Sequence, residues 1–335
     1  GLENIKLKKE NVQLENKSFH SFDFVGESHQ VIKIKKLISK LSSTDSRILI
    51  SGPTGSGKEL LARKIHKNSQ RKKEPFVVLN GALLQPDNYE KEFFGSENKD
   101  GSISYGFLEK AKRGTLLIDE VSEVPLDTQA KILRVLMDQK FKRINGKEDI
   151  VVNVRIVSST SKDLKNEIAI GNFREDLYHR LNVVPIEIPS LSLRPTDIPL
   201  LIKYFQKKIS EINGIPEIEI DVNNDLLYSY NWPGNVRELR NLVERISILS
   251  QNENKSNIGR LLNEILSKNA SEDFQNANVS LTYPLKQARE NFEKTYLLTQ
   301  LKKNKGNISK TAEFIGMERS ALHRKLKSLG IKGIN

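Results

Sequence analysis

The chain has no cysteine, two methionines and one tryptophan in 335 residues. Without thiols it forms no disulfide and no thiolate metal site. It also lacks any run of 18 apolar residues, so no segment reads as a membrane span. The opening stretch GLENIKLKKE has no apolar core and does not read as a signal peptide. These absences suit the cytoplasm. Acidic residues are also scarce relative to basic ones, 42 against 54, which leaves a formal charge of +12. That excess points to a polyanionic partner. It is unevenly placed: from Leu281 to Asn335 there are twelve Lys/Arg and four Asp/Glu, so +8 of the +12 lies in one-sixth of the chain. Such a patch is either a solvated helical surface or a nucleic-acid contact, and composition alone does not choose.

With 37% hydrophobic and 29% charged residues, the chain is polar but long enough for two or three folded domains. Residues 1–20 are rich in Lys and Glu. Ile5 and Val12, and Leu7 and Leu14, are seven apart. Two heptads are too few for a coiled coil, so this part reads as a helical linker. Five short β-branched runs follow: RILIS, FVVLN, TLLID, VRIVSST and VVPIEI. Helical patterns such as ELLARKIHKNS and TQAKILRVLMDQ separate several of them. This alternation predicts an α/β unit over residues 21–190, built on an open and largely parallel sheet. Residues 191–252 read as a smaller all-α unit and 253–280 as an Asn/Ser-rich linker. Residues 281–335 read as an all-α unit of three helices.

The run RILIS leads into GPTGSGKE, a G-x-x-x-x-G-K pattern formed by Gly52, Pro53, Thr54, Gly55, Ser56, Gly57, Lys58 and Glu59. Backbone N–H groups can curl around phosphates only where no side chain blocks the approach, and the following helix aims its positive end at the same anion. Lys58 would reach the β- and γ-phosphates of a nucleotide. Glu59 stands where Ser or Thr usually helps to hold Mg²⁺, so another group must do so. TLLIDE supplies it, with Asp119 and Glu120 at a strand end. Asp119 is the candidate Mg²⁺ ligand, and Glu120 the candidate to orient or deprotonate an attacking water.

GPTGSGKELLA, FVVLNGA, GTLLIDEV, FREDLYHRLNVVPI and NWPGNVRELRNLVER, in this order, resemble the AAA+ ATPase domain of NtrC-type bacterial enhancer-binding proteins over about residues 25–250. VSSTSKDL and ERSALHRKLKSLG look most like the NtrX response regulators within that family. The resemblance implies an AAA+ P-loop NTPase with a parallel sheet, a small α-helical lid and an ATP cofactor. It also implies roles for single residues. Asn80 matches the residue that restrains the catalytic glutamate. Thr160, followed by Ser161 where many relatives have Asn, matches the γ-phosphate sensor. Arg174 and Arg180 match arginine fingers, and Arg237 the lid arginine that feels nucleotide. Without the family, Arg174 and Arg180 read as a surface salt-bridge face with Glu175 and Asp176. Fingers supplied to a neighbour's site imply a homo-oligomer, usually a hexameric ring. The expected enzyme activity is then weak, oligomerisation-dependent ATP hydrolysis, because a finger in trans accounts for ~10³–10⁵ in rate.

GNISKTAEFIGMERSALHRKLKSLGI resembles the Fis-type helix-turn-helix. Ile308, Ala312 and Ile315 line one helix and Gly316 serves the turn. Leu322, Leu326 and Leu329 repeat at i, i+4 and i+7. The opposite face carries Arg319, Ser320, His323, Arg324, Lys325 and Lys327, the candidate contacts to double-stranded DNA. Its N-terminal members suit base edges, and Lys325 and Lys327 suit phosphates. The helix over 283–301 would support dimerisation.

In activators of this family the segment after the FG dipeptide carries GAFTGA, the loop that engages sigma-54. Here the segment is SENKDGSISYG, shorter and without the Phe-Thr pair. It reads as a mobile surface loop, and sigma-54 is not the expected partner. The expectation is a DNA-binding, ATP-binding transcriptional regulator of a two-component system. Two alternatives stand beside it: a sigma-54 activator ATPase with a diverged loop, and a nucleotide-gated DNA-binding switch without significant hydrolysis. The receiver domain usual in NtrX relatives is not among these residues. The sequence is therefore expected to be part of a larger regulator served by a sensor kinase.

Overall fold

The computed structural model describes residues 22–85, 88–250, 257–266 and 307–328, with residues 293, 294, 296–298, 300, 301 and 304. The expected linker 1–20 and most of 253–280 lie outside these residues. The chain divides into two units, residues 1–263 and 264–335.

In the first unit, α1 (His29–Leu41) precedes β1 (Ile48–Ser51), which leads through the glycine loop into α2 (Lys58–Lys67). β2 (Phe76–Asn80) and α3 (Tyr89–Phe94) come next, then a small hairpin of β3 (Ser96–Glu97) and β4 (Ile103–Ser104). After α4 (Phe107–Lys110), β5 (Thr115–Asp119) and α5 (Leu126–Asp138), a second hairpin is formed by β6 (Lys140–Phe141) and β7 (Ile150–Val151). β8 (Arg155–Thr160), α6 (Leu164–Ala169), α7 (Glu175–Leu181) and β9 (Val184–Glu187) complete the α/β part. The five apolar runs of the sequence form one sheet in the order β2-β5-β8-β1-β9, and every pairing in it is parallel. Register aligns Asn80 with Asp119 and Ser51 with Thr160, so the functional strand ends share one edge.

The sheet is covered on both faces, which is why its strands are apolar throughout rather than alternating. Leu116 and Ile118 join a core with Leu79, Phe93, Ile132 and Leu177. Leu117, between them, points to the opposite core with Ile34, Ile50, Ile65 and Val157. A strand period of two accounts for the division.

The helical lid consists of α8 (Ile198–Asn213), α9 (Asp225–Ser229) and α10 (Asn235–Leu249). α8 buries Leu201, Ile202, Phe205 and Ile209, and α10 buries Leu239, Leu242, Val243 and Ile246, each at helical spacing. α8 stops at Gly214, whose φ of +64° is the left-handed C-terminal cap.

In the second unit, α11 (Ile308–Ile315) and α12 (Arg319–Ser328) are joined by a turn at Gly316, with φ +70°. Leu297, Leu301, Ala312, Leu322 and Leu326 form its core, with Ile308 and Ile315 packed against it. Leu329 lies outside the described residues.

Candidate functional site

The loop between β1 and α2 needs its glycines. Gly55 has φ +75°, and a Cβ there would lie 2.1 Å from the Gly234 carbonyl of the lid. Gly57 has φ +105° and caps α2. The loop is held from outside. The Arg237 amide donates to Gly55 O (3.2 Å), Asn235 Nδ2 to Thr54 O (2.9 Å) and Arg194 Nη2 to Ser56 O (3.1 Å). Among the described residues the amides of Thr54, Gly55 and Gly57 have no hydrogen-bond acceptor. The loop's carbonyls are therefore tied to the lid and its neighbours while three amides remain available to an anion.

The cleft at this loop is lined by Thr54, Gly55, Gly57, Lys58, Asp119 and Glu120 on one side and by Phe205, Val236 and Arg237 of the lid on the other. Lys58 is buried. Its Nζ donates to Gly52 O at 2.9 Å and pairs with Glu120 Oε1 at 3.1 Å. Glu120 Oε2 accepts from both the amide and the hydroxyl of Ser161, each at 2.8 Å. Burial works to raise the Glu120 carboxyl, but the Ser161 bonds and Lys58 outweigh it and hold it below its ordinary value. Glu120 has φ +51°, a left-handed conformation uncommon outside glycine and of the kind that gathers at functional sites. Asp119 Oδ1 accepts from the Ser159 hydroxyl at 2.5 Å. Burial, with the neighbouring Glu120 charge adding to it, pushes the Asp119 carboxyl up despite that bond.

Other expected residues have different partners in this structure. Asn80 is not on Glu120: its Nδ2 points to Asp119 Oδ2 at 3.4 Å, and its Oδ1 caps the Ala82 amide. Ser161, short as it is, holds the glutamate instead. Thr160 is buried and bonds to Ser122 and Lys162. Glu59 lines the cleft but turns to Arg63 one helical turn on, at 2.6 and 2.8 Å. Among the described residues no cluster of three His, Cys, Asp or Glu could hold a metal by itself.

Arg174 and Arg180 are both exposed, and neither lines this chain's own cleft. Arg174 is the residue before α7, so the helix begins between the two arginines. Its guanidinium binds Asp176 at 2.7 and 3.0 Å, the salt bridge that the residues suggest without the family.

Sequence reasoning missed Arg194, Asp197, Asn235 and Ser159. Arg194 and Asp197 are fully buried in the connection to the lid. Asp197 accepts from the Glu27 amide (2.6 Å) and from the Ser28 amide and hydroxyl (2.7 Å each). The Asp23 amide donates to the Tyr204 hydroxyl on α8 at 2.6 Å. Residues 23–28 are thus fastened to the lid and the connection into it. The only signal was LRPTDIP, which reads as punctuation before a helix.

The segment expected as a mobile loop, 96–106, contains a closed hairpin. Asn98 N donates to Ser102 O, Asn98 Nδ2 to Ser102 Oγ, and Ser102 N to Asp100 Oδ1. Arg143 clamps it from the neighbouring segment, reaching Glu97 at 3.0 Å and Glu109 at 2.7 Å.

On α12, Arg319, Ser320, His323 and Arg324 are exposed together, opposite buried Leu322 and Leu326. Lys325 is half-buried and pairs with Glu293 at 2.5 Å, so it is less available to phosphates than expected. The Lys327 side chain lies outside the described residues.

A parallel sheet with a phosphate loop, an acidic strand end and a helical lid over them define a P-loop NTPase domain of the AAA+ class. Comparison with known families agrees. Residues 24–187 match the sigma-54 interaction domain, 192–278 the AAA+ ATPase lid domain, and 288–329 the bacterial regulatory protein, Fis family. The chain is 44% identical to the nitrogen assimilation regulatory protein NtrX of Azorhizobium caulinodans, over 98% of this chain and 74% of that protein. It is 38% identical to the regulatory protein AtoC of Escherichia coli, over 91% and 67%. The crystal structure of NtrX from Brucella abortus in complex with ATP matches 98% of this chain and 73% of that one, at 45% identity and a TM-score of 0.68. The chain belongs to the NtrC-type AAA+ regulators, in their NtrX group. Among the described residues no helix is long and apolar enough to cross a membrane.

Proposed function

We propose that this chain is a cytoplasmic ATP- and DNA-binding transcriptional regulator that hydrolyses ATP weakly, in proportion to its assembly, and acts without sigma-54. The observation that carries the reading is the pairing of Lys58 with Glu120 beneath three unengaged loop amides. A nucleotide triphosphate offers Lys58 a partner of higher charge than a carboxylate. As Lys58 turns to the phosphates, Glu120 Oε1 loses its cation, while Oε2 stays on Ser161. The freed oxygen can orient a water and accept its proton. Asp119 fits Mg²⁺, whose usual site is one or two carboxylates plus the phosphates it travels with. A second positive charge would also relieve the buried Asp119–Glu120 pair. The ion would supply charge neutralisation at the phosphates.

Arg174 and Arg180 are exposed outside their own cleft, which supports a role as fingers supplied to a neighbouring copy; turnover then belongs to an oligomer, a ring in the fullest case. The exposed face of α12 reads DNA, through a dimer of such helices. A sensor kinase acting through a receiver domain is the expected upstream partner. The closed hairpin at 96–104, with no Phe-Thr tip to present, supports independence from sigma-54. The match of residues 24–187 to the sigma-54 interaction domain favours a second reading, an activator whose hairpin still engages that factor.

The test is ATP turnover per chain measured against protein concentration, alongside transcription by sigma-54 holoenzyme. Turnover should rise with concentration, with no open-complex formation. Bound nucleotide without turnover at any concentration would support the gated switch instead, and robust open-complex formation would support the second reading.

A further inference from the structure

The nucleotide cleft lies at the C-terminal ends of the strands, where parallel sheets usually bind ligands. The opposite edge of the same sheet holds a second cavity, of about 600 Å³. Its polar wall is built by Arg47, Arg71, Arg155 and Asp45, and its apolar wall by residues such as Phe93 and Ile132. Three guanidinium groups face one carboxylate, and that carboxylate is taken. Arg71 grips Asp45 through Nε (3.0 Å) and Nη2 (2.8 Å). The remaining Arg71 bonds go to the carbonyls of Arg113, Gly114 and Asn153 and the side chain of Asn153.

Arg155, at the start of β8, is 1% exposed. Its Nη2 donates to Leu41 O at 3.1 Å, while Nε and Nη1 have no hydrogen-bond partner. Arg47, half-buried just before β1, has no side-chain partner among the described residues. Unpaired buried donors of a charged group are costly, and buried charges are normally paired. Burial pushes both arginines below their ordinary values, and the Arg180 charge near Arg47 adds to the positive field.

We propose that this cavity is a binding site for a small amphipathic organic anion, a carboxylate whose head meets Arg155 and Arg47 and whose apolar body lies against Phe93 and Ile132. One oxygen of a carboxylate can accept from Arg155 Nη1 while the other meets the Arg47 guanidinium. The apolar wall selects against bare hydrated ions.

The experiment is calorimetric titration of the full chain with octanoate, and with octanol as the uncharged analogue of the same length. Octanoate should bind saturably, one per chain, and octanol markedly more weakly. Arg155→Met removes the buried donors but threatens folding, so Arg47→Met is the decisive variant. It should weaken octanoate roughly tenfold, the loss of about one charged contact. Lys58→Ala should leave octanoate binding in place, because the phosphate loop is at the other edge. Absence of saturable binding, equal binding of octanol, unchanged affinity in Arg47→Met, or loss of binding in Lys58→Ala would each overturn the assignment.

Discussion

Two glycine-bearing loops of the first unit make opposite use of their backbone. The phosphate loop at 52–57 is pinned through its carbonyls by Arg194, Asn235 and Arg237, and leaves the amides of Thr54, Gly55 and Gly57 unengaged. The hairpin at 96–104 bonds its turn to itself and is clamped by Arg143. The difference teaches that a loop is recognised as a ligand site by which of its polar groups its neighbours leave open. Glycine content alone does not separate the two. The first loop is held by the lid; the second is closed on itself.

The largest expected effect is at Glu120. Glu120→Gln should keep nucleotide binding and lower turnover by ~10²–10⁴, the range for loss of a positioned base. Single-turnover hydrolysis measures it, and unchanged turnover would remove Glu120 from the mechanism. Lys58→Ala should weaken ATP by about 100-fold, equivalent to ~3 kcal/mol for a charged hydrogen bond. Labelled-nucleotide binding reads this directly. Asn235→Ala cuts the tie to Thr54 O and also the bond from the Leu191 amide. It should weaken ATP by roughly tenfold, about 1.4 kcal/mol, although Asn235 touches no phosphate. Full affinity in that variant would mean the loop supports itself, and the contrast with the hairpin would fail. Arg143→Ala should cost about 1–2 kcal/mol, the scale of a charged hydrogen bond, since Arg143 and Glu109 are both largely shielded from solvent. That lowers the melting temperature by ~2–4 °C in a chain of this size. ATP affinity should be unchanged, and a coupled loss would show that the hairpin is not independent of the cleft.

The five main strands were legible because each is a compact β-branched run that the sheet buries on both faces. Their spatial order was not, since neighbouring strands leave no local mark on one another. β3, β4, β6 and β7 have two residues each, too few for any alternation to register. At the site, the glycine spacing and the DE strand end identified Lys58, Asp119 and Glu120 through chemistry that spacing fixes. Partners across the cleft were harder. The family pattern relates Asn80 to the glutamate; in this structure sheet register sets Asn80 beside Asp119, and Glu120 is bonded to Ser161. Glu59 and Arg63 are four apart on a helix, so their pairing was readable from spacing alone. Arg194 and Asp197 were invisible because polar residues between helices look like solvent-facing loop until the fold encloses them.

The fastening of Asp197 and Tyr204 to residues 23–28 has a mechanical consequence. Any displacement of the lid would be handed through these bonds to residues 23–28, so the fastening acts as a drawstring between the two.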